Sequence, residues 1–306
     1  MRPALSVLLL TTLIGAGQGL YLALAALDVF GEAPPRLLVA GAALSIALLV
    51  GGLGASFLHL GRPERAWRSA AMWRTSWLSR EVIVLPAFIA AVFAWGIAHH
   101  FGLSRNAIVG LDIAGALLAV ALFICTGMIY ACLRFLQEWH TPLTPINYAA
   151  LGCASGLTAA AALAAWLQPA LARPYAAVAL LAGLLAYVMR LATLARNARL
   201  RPKSTLATAI GVKHPRIVQI AQGAMGGSFN TREFFHGRPR EVFRAMRWTF
   251  LTFVFPVPGL LLILWPGSAP VLTFAVLIQF AGLLAERWYF FAEANHPQNL
   301  YYQAIS

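Results

Sequence analysis

The sequence predicts an all-α integral membrane protein of eight transmembrane helices with both termini in the cytoplasm, and three observations lead there. The 306 residues are 60% hydrophobic and only 11% charged, a composition far outside that of soluble domains. Eight apolar runs approach or exceed the roughly 20 residues that a helix needs to cross the hydrocarbon core. The basic residues are divided very unevenly between the two sets of connections that eight spans create.

The first run, 5–30, follows a basic residue as a secretory leader does. It is too long for such a leader and no small-residue cleavage site ends it, so it is read as the first span. Spans are then expected at 37–58, 82–98, 108–130, 147–167 and 175–195. The seventh, 248–265, is short and contains Pro256 and Pro258, so it is expected to be kinked or broken. The eighth is 270–291. No twin-arginine signal or lipidation motif is found, and residues 1–306 are read as one membrane domain.

With both termini on one side, that side collects Arg2, the five arginines of the second connection, Arg134, the twelve Lys/Arg from Arg190 to Arg247, and Arg287, twenty in all. The opposite side has three, Arg36, Arg105 and Arg173. This asymmetry places the termini in the cytoplasm of a bacterial inner membrane protein. It also accounts for the net charge of +13 through topology and contact with anionic lipid; no nucleic-acid motif is found. The three cysteines, Cys125, Cys132 and Cys153, form no CxxC pair, which argues against a metal or iron–sulfur centre in this chain.

Polar groups within a bilayer are costly, so their positions point to function. Gln18 lies in the GAGQG stretch of the first span, where Gly15 and Gly19 let another helix come close. An interhelical hydrogen bond and a ligand contact are equally good readings of it. Asp28, Asp112, His99 and His100 fall toward the opposite side, where they are expected to be solvated helix ends. On the cytoplasmic side His59 closes the second span, Glu81 opens the third, Tyr130 and Arg134 close the fourth, and Glu286 with Arg287 ends the eighth. These groups are expected to line one pocket. An imidazole titrating near neutrality beside a carboxylate suits proton exchange between water and a lipid-soluble redox carrier.

The connection around His59 and Glu81, FLHLGRPERAWRSAAMWRTSWLSRE, holds five arginines and three tryptophans. It reads as an interfacial segment, its Trp67, Trp73 and Trp77 at headgroup level and its Arg62, Arg65, Arg68 and Arg74 facing the cytoplasm. Lipid anchoring explains the tryptophans, and a protein docking surface explains the excess of arginine.

These residues carry a resemblance. The stretch LHLGRPERAW…SWLSREV resembles that between the second and third spans of DmsC-like membrane-anchor subunits of dimethyl sulfoxide reductase type complexes. The eight-helix layout, the GQ of the first span and the end of the eighth, AERWYFFAEANHPQN, fit the same family over most of the chain. The resemblance implies a quinone-reactive anchor without metal centres of its own, partnered by a four-cluster iron–sulfur subunit and a molybdenum bis-pterin catalytic subunit. By motif matching, His59 of LHLG and Glu81 of S-x-E are the residues that the family associates with quinol binding and proton transfer. Gln18, Arg80, Tyr130, Arg134, Glu286 and Arg287 are expected around the ubiquinone or menaquinone with them, and Arg62, Arg65, Arg68 and Arg74 at the partner.

Two features depart from the family's namesake. Its soluble subunits lie outside the cytoplasm on the side of the anchor's termini, whereas the charge count here puts that side, and hence the partners, in the cytoplasm. A long basic connection, 196–247, also carries Phe229, Phe234 and Phe235 and is expected to be an ordered docking element. A cytoplasmic molybdenum partner with this type of anchor is similar to the membrane-bound sulfite dehydrogenases of sulfur-oxidising bacteria, with their SoeC-type anchor. That likeness implies sulfite oxidation to sulfate on another subunit and electron delivery to the quinone pool. The alternatives are an anchor running from quinol to substrate and, from another class, a secondary transporter. A haem b between histidines such as His59, His140, His214 and His236 is the less favoured cofactor.

Overall fold

In the computed structural model the described residues are 4–30, 33–201, 205–221, 240–297 and 299. Arg2, His236 and the aromatic residues Phe229, Phe234 and Phe235 of the basic connection lie outside them. The described residues are helical or irregular, with no strand among them. The helices are α1 (Leu5–Val29), α2 (Pro35–Phe57), a 3-10 segment (Pro63–Ala70), α3 (Trp77–Phe101), α4 (Arg105–Ala131), α5 (Leu143–Leu167), α6 (Pro169–Ala198), the short α7 (Leu206–Ile210), α8 (Arg240–Val254), α9 (Pro256–Leu264) and α10 (Ala269–Glu293). Eight stretches are long and apolar enough to cross a membrane, α8 and α9 together supplying the seventh.

Local chemistry sets the ends of these helices. The Ser76 hydroxyl accepts the backbone N–H of Ser79 at 3.3 Å and caps α3, and Gly102 closes it in the left-handed conformation at φ 63°. Proline occupies the first turn of α2, α6, α9 and α10, where its missing N–H costs nothing. That tolerance is why α6 starts at Pro169, six residues before the expected span.

Helices α1 and α5 form the centre, with 61% and 67% of their spans buried against 28–39% for the other six. Their contact is made by small residues: a Cβ added at Gly19 would meet the backbone of Gly152, and one at Gly156 the backbone of Gly19 and Leu20. Glycine at four-residue spacing on both helices therefore lets the two backbones touch. The largest core cluster joins α1 to α6 around Tyr21, Phe88, Trp95 and Leu122. A second joins α5, α6, α8 and α10 around Phe250 and Tyr289.

The seventh span is broken as its prolines demand. Pro258 has no N–H to donate to the carbonyl of Val254, four residues earlier. The side-chain amide of Gln279 on α10 donates to that carbonyl instead, at 3.2 Å.

Candidate functional site

The connection from α2 to α3 is short, so the C-terminus of one helix and the N-terminus of the other must meet at one end of the bundle. There His59 and Glu81 line one cleft of about 460 Å³. Its walls are apolar, with Leu10 from α1, Leu53 and Phe57 from α2, and Leu78, Val82 and Leu85 from α3. The 3-10 segment roofs it with Arg65, Ala66, Trp67 and Ser69, next to Arg62.

The two titratable groups sit differently. His59 is exposed at the mouth. Glu81 is 8% exposed, and its Oε1 accepts the hydroxyl of Thr126 from α4. Pro86 also lines the cleft; lacking an N–H, it leaves the carbonyl of Val82 without its helical donor, one residue from Glu81. Thr126 and the Val82 carbonyl were not singled out from the sequence. Threonine is common in spans, whereas a proline four residues after a cleft-lining position is a signal that could have been used.

None of Gln18, Arg80, Tyr130, Arg134, Glu286 or Arg287 lines this cleft, so the expectation of one shared pocket divides into several environments. Gln18 is 1% exposed and donates to the carbonyl of Ala119 on α4 at 3.2 Å, the interhelical bond of its two readings. Arg80 folds back onto the carbonyls of Trp73 and Arg74 at 2.9 and 2.8 Å, with its guanidinium 4.2 Å from the Trp77 ring centre. Arg134 is exposed beyond the end of α4. Tyr130 stands 5.3–5.7 Å, between ring centres, from Trp139, Tyr148, Phe290 and Phe291.

Glu286 and Arg287 belong to a buried ionic network. Glu286 Oε1 is 2.9 Å from Nε of Arg190 on α6, Glu286 Oε2 is 3.4 Å from Arg287 Nη1, and the Arg287 guanidinium lies 3.7 Å over the ring of Tyr148. Arg190, counted from the sequence among the solvent-side charges, is only 1% exposed. Depth along a helix placed these groups at the right end; their direction around the axis turns them toward each other and away from the cleft.

Another correction concerns the far end of the bundle. Asp28, His99 and Asp112 are not solvated ends: they are 4, 7 and 2% exposed and packed together. His100 alone of that set is exposed.

The arginine-rich connection is an open surface. Arg62, Arg65, Arg68 and Arg74 are exposed, as are Trp67 and Trp73. Arg68 and Arg74 each lie over the preceding tryptophan at 5.5 and 5.4 Å, so the strip alternates cation and aromatic face. Among the other histidines, His140 Nδ1 lies 2.6 Å from the Ala131 carbonyl and the exposed His214 Nδ1 lies 2.7 Å from the Arg216 carbonyl. Outside the spans, burial pushes the Glu138 carboxyl above its ordinary value and the His296 imidazole below it, as expected for segments folded against the bundle end.

Comparison with known proteins gives these positions a context. The chain is 52% identical over 327 residues to the SoeC-type anchor of the sulfite dehydrogenase of Allochromatium vinosum, covering all of both chains. The family model described as DMSO reductase anchor subunit (DmsC) matches residues 1–302. An eight-span helical bundle and a family match over nearly its whole length lead to one conclusion: the chain belongs to the DmsC family of membrane-anchor subunits.

Proposed function

We propose that this chain is the quinone-reactive anchor of a sulfite-oxidising molybdenum complex, and that the His59–Glu81 cleft is where the quinone binds. The convergence of these two residues in one cleft at the end of α2 and α3 is the observation that carries the reading. The identity to a sulfite dehydrogenase subunit supports the choice of complex. In this reading sulfite becomes sulfate on a molybdenum bis-pterin subunit, and an iron–sulfur subunit with four clusters carries the electrons to the anchor. Both partners dock on the arginine–tryptophan strip, on the cytoplasmic side by the positive-inside count.

The cleft fits an amphipathic ring: apolar walls with a few convergent polar groups are the usual form of such a site. Ubiquinone or menaquinone would supply an acceptor of two electrons and two protons. His59, in contact with water, exchanges protons with the cytoplasm. Glu81, screened from water and fixed by the Thr126 hydroxyl, presents its other carboxylate oxygen for proton transfer. Arg62 and Arg65 make the mouth positive and favour the anionic forms that arise on reduction. No metal or haem is assigned to this chain.

The test is gentle purification of the tagged protein with its partners, followed by sulfite-dependent quinone reduction. His59→Ala and Glu81→Gln are each expected to lower quinone reduction at least 10-fold while sulfite oxidation with an artificial dye is unchanged. Loss of both activities means failed assembly, and a chain that purifies without molybdenum or iron–sulfur subunits turns the reading toward transport.

A further inference from the structure

The end of the bundle opposite the cleft holds a second cluster of titratable groups, which the proposed function does not use. The chain has only two aspartates, Asp28 and Asp112, and both are buried there. Asp28, near the end of α1, lies with its Oδ2 3.0 Å from Nε2 of His99 on α3 and its Oδ1 3.2 Å from Nη1 of Arg105 on α4. Asp112, two turns into α4, accepts the indole N–H of Trp95 on Oδ1 at 2.7 Å. Its Oδ2 is buried without a hydrogen-bond partner among the described residues, and its carboxyl interacts with that of Asp28. The charges and titratable groups that reach this cluster are its own members, Arg105 and the phenol of Tyr21.

A charge count separates this cluster from the ionic network near the cleft. That network balances when fully ionised: Arg190 and Arg287 contribute +2, and Glu286 with Glu293, which lies in the field of Arg190, contributes −2. Here Asp28 and Asp112 contribute −2 and Arg105 +1, leaving −1 with His99 neutral. An unmatched charge is costly at this burial, and uptake of one proton removes it.

The position of that proton follows from the contacts. On His99 it would leave Asp28 facing two cations while ionised Asp112 had only an indole N–H. On Asp112 it leaves Asp28 matched by Arg105 and every other member neutral, with Asp112 Oδ2–H donating to Asp28. Arg105, whose side chain is 43% exposed, connects the cluster to water.

We propose that Asp28, His99 and Asp112 form a proton-binding site at the end of the bundle away from the cleft, holding one exchangeable proton on Asp112. The site gives the anchor a protonatable centre on each side of its hydrophobic thickness. It stands independently of the quinone reading, since it rests on other residues.

Because the chain has two aspartates, aspartate carrying carbon-13 in its side-chain carboxyl labels the site alone. The full chain, purified in lipid nanodiscs at neutral pH, is expected to show one labelled carboxylate and one labelled carboxylic acid by carbon-13 NMR. The acid should give an infrared C=O stretch that shifts in D2O, disappears in Asp112→Asn and persists in Glu81→Gln. Two carboxylate signals in the folded wild-type chain, or an acid signal that does not respond to D2O, would overturn the proposal. The decisive measurement needs no variant, so misfolding of Asp112→Asn does not obscure it.

Discussion

Gln279 shows how one side chain can carry a backbone irregularity. The carbonyl it serves, that of Val254, has lost its helical donor to Pro258 and is buried where lipid offers no substitute. Gln279→Leu is expected to cost about 1–3 kcal/mol, visible as a lower thermal midpoint in detergent, while Gln279→Glu, if protonated, retains part of the bond. Arg190 and Glu286, each 1% exposed, pose the same question with full charges. Removing one partner leaves an uncompensated buried ion, so Glu286→Gln is expected to destabilise by about 3–5 kcal/mol. The double variant Arg190→Met with Glu286→Leu should recover much of that loss in the same melting assay, since two apolar side chains ask nothing of each other.

At the level of the helices, what was legible depends on which constraint writes the sequence. The hydrocarbon thickness fixes span length, so all eight spans were found, and the prolines announced the break before Pro256. Ends were less legible: α3 and α6 run several residues beyond the apolar stretches because Ser76 caps one and Pro169 opens the other. For the candidate site, His59 and Glu81 were foreseeable as neighbours because the connection between α2 and α3 is short. Tyr130, Glu286 and Arg287 were not separable from them by depth alone, because azimuth depends on which helices adjoin. Asp28, His99 and Asp112 were misread for the complementary reason: their partners Arg105 and Trp95 come from other turns and helices. The α1–α5 contact, foreshadowed by Gly15 and Gly19, gives a direct test. Gly156→Val would place a branched side chain in the backbone of Gly19 and Leu20. It should sharply reduce the yield of monodisperse protein, whereas Gly183→Ala, with nothing within 4 Å of the added atom, should not.

Considered whole, the molecule places its open arginine–tryptophan strip directly over the cleft, so that a docked partner would lie next to the bound carrier. Reversing Arg62, Arg65, Arg68 and Arg74 together to glutamate is expected to abolish co-purification of the soluble subunits while the anchor remains folded by size-exclusion chromatography. The wild-type association should weaken as salt rises. The buried Arg190–Glu286 pair has a consequence for synthesis. Ninety-six residues separate its members, and α6 leaves the ribosome well before α10 exists. The newly inserted sixth helix must therefore wait in the membrane with an unmatched guanidinium until the last helix arrives, and completion of the chain is itself the event that makes that helix at home in lipid.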